Sequence, residues 1–78
     1  MQFDNMVIGR TIRKLRQDRG LSQDVLSGLA GIARTHLTMI EQGTKKPNFE
    51  TLWRLALALD MRPSELVRKI ELEIEGSK

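Results

Sequence analysis

Cysteine is absent from this chain of 78 residues, and histidine occurs once, at His36. The first absence excludes disulfide stapling, thiolate metal ligands and thiol catalysis, and it fits a reducing compartment. The second leaves no spacing of ligands from which a zinc site could be assembled, so no metal is expected. Tyrosine is missing, aromatic residues make up 4% of the chain, and no apolar run nears the ~20 residues needed to cross a bilayer. Met1 to Val7 lack the basic patch and apolar stretch of a secretory leader, so a soluble, cytoplasmic protein with no membrane partner is expected. A chain this short buries too little surface to wall in a substrate cleft. It also shows no nucleophile and base pair, no carboxylate pair with an evident role and no phosphate-binding glycine loop. The expectation is a protein that is not an enzyme and needs no cofactor.

The net charge is +3, and its distribution says more than its size. Residues 1–20 hold five basic residues, Arg10, Arg13, Lys14, Arg16 and Arg19, against Asp4 and Asp18. Residues 62–78 balance Arg62, Arg68, Lys69 and Lys78 against Glu65, Glu71, Glu73 and Glu75. A basic N-terminal half suits a protein that turns one face to a polyanion, although a basic helix taken alone is as readily a solvated face.

Periodicity predicts five short helices and no strand, hence an all-α fold. Ile8, Ile12 and Leu15 recur at i, i+4 and i+7, with Arg10, Arg13, Lys14 and Asp18 opposite, and Gly20 supplies a C-terminal stop. Ser22 is an N-cap for a second helix, Asp24 places negative charge in its first turn, and Leu26, Leu29 and Ala30 form its stripe before Gly31 ends it. A third helix carries Ala33, Leu37 and Ile40 and stops at Gly43. Beyond the polar stretch Thr44 to Pro47, Asn48 caps a fourth helix with Leu52, Leu55, Ala56 and Leu59 inward, ending near Asp60. Pro63 sits at the first position of a fifth, whose apolar positions are Leu66, Val67, Ile70 and Ile74. Residues 1–78 read as one domain, its core at about 8–66 and its last helix reaching about 74.

Two short helices joined by a tight glycine turn, between Ser22 and Gly43, have the form of a helix-turn-helix. Arg34, Thr35, Thr38, Met39 and Gln42 line the side of the second helix that folding does not need. In such a motif the second helix enters the major groove of double-stranded DNA while the first braces on the backbone. Arg34 can donate bidentately to guanine, Thr35 and Thr38 offer hydroxyls, and Met39 offers an apolar contact to a thymine methyl; these four are the candidate base contacts.

The run Leu21-Ser22-Gln23, followed by Leu26, Gly31, Leu37, Ile40, Glu41, Gly43 and Pro47, resembles the Cro/C1-type repressors, the XRE family, over about residues 8–66. The resemblance implies a five-helix, lambda-repressor-like DNA-binding domain that acts as a homodimer on a pseudo-palindromic operator. It implies phosphate contacts for Gln23 and for Lys45 and Lys46 after the recognition helix. Gln42 and His36 join them as candidates, although a lone histidine beside a core position is as readily a packing residue. It further implies that Arg16 and Glu41 form a structural ion pair between the first and third helices, rather than a DNA-reading pair.

Three departures from the family pattern stand out. Ala33 and Arg62 replace usual helix caps, each removing a bond worth ~1 kcal/mol. Trp53 and Leu57 lie at i and i+4 on a face of the fourth helix that relatives keep polar, so something apolar covers them, either a partner or Phe3 or Met6 of the same chain. Ile70 and Ile74 extend beyond what the other helices are expected to cover, which places the dimer seam on the fifth helix, with Ile70 central and Val67, Ile74 and Trp53 beside it. By size the chain is similar to restriction-modification controller proteins, to Cro-like phage regulators and to small antitoxins, and the bare domain with a long last helix favours the first. The reading from a different class is an antitoxin or interaction module in which DNA binding is secondary. RNA polymerase becomes a partner if the protein activates transcription.

Overall fold

The computed structural model describes residues 2–76, and all five helices are there: α1 Asn5–Asp18, α2 Gln23–Ala30, α3 Arg34–Gln42, α4 Phe49–Ala58 and α5 Pro63–Gly76. No strand occurs among the described residues, so the all-α expectation holds. α1 packs on α3 and α5, α2 on α3 and α4, and α4 on α5. Ile8, Ile12, Leu26, Leu37, Ile40, Leu55, Leu59 and Leu66 fill the space between them, each almost wholly shielded from water.

The helix starts follow capping chemistry. Ser22 and Asn48 accept from the backbone N–H of Val25 and Thr51 at 3.1 and 2.7 Å, as the sequence indicated. Asp4, unforeseen, does the same for α1, accepting from Met6 and Val7. Ala33 makes no side-chain cap bond, so α3 starts without one. At α5 the loss is half repaired, because Glu65 reaches back to accept from the Arg62 N–H at 2.8 Å, the reciprocal arm of a capping box.

Two close approaches place α3. Gly9 is buried where α1 crosses the end of α3, and a Cβ there would run into the carbonyl oxygens of Ile40 and Glu41. Gly43 ends α3 with φ of 79°, a left-handed conformation that glycine adopts without strain. At the opposite end, Arg19 donates from Nε to the Leu59 carbonyl at 2.7 Å, tying the end of α1 to the end of α4.

Three expectations are corrected. Leu29 is 63% exposed: on a helix of eight residues only the edge facing α3 and α4, with Leu26 and Ala30, is covered. Ile70 is buried and belongs to the core, with Ile74 packed against it, because α5 lays the Leu66, Ile70 and Ile74 stripe onto the rest of the fold. Ile70 therefore cannot be the centre of an exposed seam. Trp53 is covered by neither Phe3 nor Met6, both of which are exposed; its ring lies 6.0 Å from that of Phe49, the residue one turn earlier.

Candidate nucleic-acid interface

α2 and α3 meet through the turn Gly31-Ile32-Ala33, with Ile32 packed against the core. Buried Leu37 and Ile40 set the rotation of α3. With those two inward, Arg34, Thr35, Met39 and Gln42 are exposed, and His36 and Thr38 are half-buried at the edges of the same face. Arg34 lies 3.4 Å from Asp24 of α2, with both side chains mostly in solvent, so the contact is weak and the guanidinium is free to leave it.

Beneath this face lies a polar network that ties three elements together. Arg16 of α1 donates from Nε and Nη2 to the two carboxylate oxygens of Glu41 at 2.7 and 2.9 Å, and from Nη1 to the Leu21 carbonyl at 2.9 Å. The Glu41 side chain is 3% exposed and that of Arg16 11%. The hydrogen bonds to Glu41 raise the Arg16 pKa above its ordinary value, against the opposing effect of desolvation, and the carboxylate charge adds to them. Gln23 of α2 donates from Nε2 to Glu41 Oε1 at 3.0 Å, and Thr38 of α3 donates from its hydroxyl to Gln23 Oε1 at 3.0 Å. Gln23 and Thr38, each expected to meet DNA singly, are therefore coupled through protein contacts. The resemblance anticipated the Arg16 and Glu41 pair, while the Gln23 and Thr38 bonds had no signal in the sequence.

Past α3 the chain turns tightly, with the N–H groups of Thr44 and Lys45 and the Thr44 hydroxyl all directed at the Met39 carbonyl. Lys45 and Lys46 are exposed beside the end of α3. The Lys46 ammonium stands 5.3 Å from the centroid of the Phe3 ring, a cation–π contact that brings the N-terminal segment to this edge. Phe3 was not assigned to the site from sequence.

Residues 12–66 match the helix-turn-helix family model, and in the structure they hold the paired helices of that motif, with left-handed stops at Gly31 and Gly43. The chain belongs to the helix-turn-helix family of the Cro/C1, or XRE, type. Over 61 residues this regulator is 33% identical to the uncharacterized HTH-type transcriptional regulator y4dJ of Sinorhizobium fredii, covering 78% of this chain and 79% of that one. Several other curated relatives are longer, and the match spans between 30% and 51% of their length. The restriction-modification controller protein C.AhdI of Aeromonas hydrophila superimposes with a TM-score of 0.76 at 35% identity, over 80% of this chain and 94% of that one. The controller protein C.Esp1396I, solved as a tetramer with its 35 base-pair operator, shares the fold at 20% identity with a TM-score of 0.84, over 95% and 97% of the two chains.

A second surface lies away from α3. Phe49, Trp53 and Leu57 repeat at i, i+4 and i+8 along α4 and are all exposed. Val67 of α5, also exposed, joins Phe49, Trp53 and Pro63 in lining a shallow groove whose rim carries Arg68 and Glu71. Phe49 was missed in the sequence although its spacing from Trp53 was there to be read. Among the described residues no helix is long and apolar enough to cross a membrane, and no group of His, Cys, Asp or Glu could hold a metal ion.

Proposed function

We propose that this regulator is a cytoplasmic, sequence-specific DNA-binding protein whose residues 1–78 act as one domain, pairing as a homodimer on a pseudo-palindromic operator in the manner of a restriction-modification controller. One observation carries the reading of DNA: α3 commits Leu37 and Ile40 to the core and turns Arg34, Thr35, Met39 and Gln42 to solvent. Bases fall to Arg34, Thr35, Thr38 and Met39. Phosphates fall to His36 and Gln42 of α3 and to Gln23, Lys45 and Lys46 beside it. Similarity to C.AhdI supports the controller assignment.

Two copies are needed because one recognition helix reads only a few base pairs, too little to single out one operator in a genome. A two-fold pair would set the recognition helices ~34 Å apart, on successive major grooves of one side of the duplex. The exposed Trp53, Phe49 and Val67 provide the apolar area for that seam, in place of Ile70. Selecting bound fragments from a random-sequence DNA pool tests both parts. The expected product is a two-fold-related pair of short half-sites; recovery of no preferred sequence would remove the reading. An antitoxin or interaction module remains the alternative class, and exposed Arg34 and Lys45 beside α3 favour DNA over it.

A further inference from the structure

We infer that Thr38 meets DNA as a hydrogen-bond acceptor, reading an exocyclic amino group at one base-pair step of each half-site, and that Gln23 is the positioning residue that holds it in that state. The inference rests on α3 being the recognition helix and adds the polarity of one contact. A threonine hydroxyl has one proton and two lone pairs, so committing the proton decides what the oxygen offers a base. Within the protein the proton has two acceptors, Gln23 Oε1 and the Arg34 carbonyl, each 3.0 Å from Thr38 Oγ1.

Gln23 presents its oxygen, and not its nitrogen, because of what lies behind it. Glu41 is a carboxylate held by the Arg16 guanidinium, so it offers acceptors only. Gln23 must turn Nε2 toward it, which leaves Oε1 facing Thr38. The reversed amide would set Oε1 against Glu41 Oε1 at 3.0 Å, two acceptors in contact, and give up a hydrogen bond to a charged group. Polarity is thus imposed from the ion pair outward: guanidinium to carboxylate, amide to carboxylate, hydroxyl to amide. Each member donates inward, and the lone pairs left over belong to the half-exposed Thr38 hydroxyl.

In the major groove only two base atoms donate, adenine N6 and cytosine N4, whereas guanine N7 and O6 and thymine O4 accept. A Thr38 hydroxyl locked as acceptor therefore prefers adenine or cytosine on the strand it faces and sets itself against guanine or thymine.

The test starts from the operator recovered in the random-pool selection. Binding of the parent, T38V and T38S is measured on every single-base-pair variant of that operator. T38V keeps the shape and loses the oxygen, whereas T38S keeps the oxygen and loses the methyl group. We expect T38V to lose discrimination at one step per half-site, by about threefold to tenfold, and T38S to retain it. In operators carrying purine for adenine, or 2-pyrimidinone for cytosine, at that step, the parent should lose the same factor and T38V nothing further. Q23A should weaken all operators alike through its phosphate contact and, beyond that, reduce discrimination at that step and no other, with no further loss of discrimination in T38V; uniform weakening with discrimination kept would overturn the positioning role. Retained discrimination in T38V with loss in T38S would assign the contact to the methyl group and overturn the inference. So would sensitivity of the parent to removing a purine N7 at that step in place of an amino group. An operator that depends on Arg34 but not on the Thr38 oxygen overturns this inference and leaves α3 as the reading helix; recovery of no preferred sequence overturns both.

Discussion

Arg16 and Glu41 face each other as a bidentate pair, guanidinium to carboxylate at 2.7 and 2.9 Å, and so fasten α1 to the last turn of the recognition helix. Both side chains are almost out of water, and in that setting removing one partner strands the other. Glu41→Ala is expected to cost ~3–5 kcal/mol, visible as a lower midpoint in urea, and in the folded fraction to change operator preference only at the step assigned to Thr38, because Gln23 is then free to turn its amide. A Glu41→Ala protein of parental stability and altered preference at other steps would show the pair to be reading DNA. The raised Arg16 pKa has a defined sign: the stabilisation is fully present from neutral pH up to the arginine's ordinary range and is lost as pH climbs through the raised value. Arg16 should therefore add no slope to stability measured between neutral and mildly alkaline pH.

Gly9 is a second brace on α3. The carbonyls of Ile40 and Glu41 occupy the space a side chain would need, and both are backbone atoms that cannot swing aside. Gly9→Ala should destabilise by about 1–3 kcal/mol, as overpacking does, even though alanine is the better helix former. Equal or greater stability in thermal unfolding would mean that α1 and α3 separate readily.

Arg34 and Lys46 should separate base reading from backbone attraction. Arg34→Ala is expected to cost ~1–3 kcal/mol on the preferred operator and little on unrelated DNA. Lys46→Ala should weaken every sequence alike and reduce the slope of log affinity against log salt by about 1. Titrations of both variants at several salt concentrations distinguish these outcomes, and parental affinity of Arg34→Ala for its operator would displace the reading face from α3.

Self-association should respond to Val67 and Trp53, which are exposed, and not selectively to Ile70, which is not. Val67→Asp and Trp53→Asp are expected to lower the dimer fraction in sedimentation equilibrium and to weaken the full operator more than a half-site, with helix content preserved. Ile70→Asp buries a charge in the core and should unfold the protein instead. A parent that stays monomeric well above its DNA-binding concentration would exclude a preformed dimer.

The sequence by itself determined what depends on neighbours along the chain. The i, i+4, i+7 recurrence of apolar residues, the caps at Ser22 and Asn48 and the stops at Gly20, Gly31 and Gly43 specify five helices and the glycine turn of the motif, because periodicity and capping are local physics. The outer face of α3 was legible for the same reason: once Leu37 and Ile40 point inward, the rotation of the helix is set. Only the tertiary structure decided which of several apolar edges is covered. α5 carries Leu66, Ile70 and Ile74 on one stripe and Val67 on the next, and packing on α1 and α4 buries the first and leaves the second in water. Leu29 was misjudged because α2 has an apolar edge that none of the helices meets. Gln23 and Thr38 were read as separate DNA contacts, since nothing in their spacing reveals that Glu41 stands behind Gln23. Hydrogen bonds across 15 and 18 residues exist only when three helices converge, and that convergence lets a buried ion pair dictate the polarity of a group on the recognition surface.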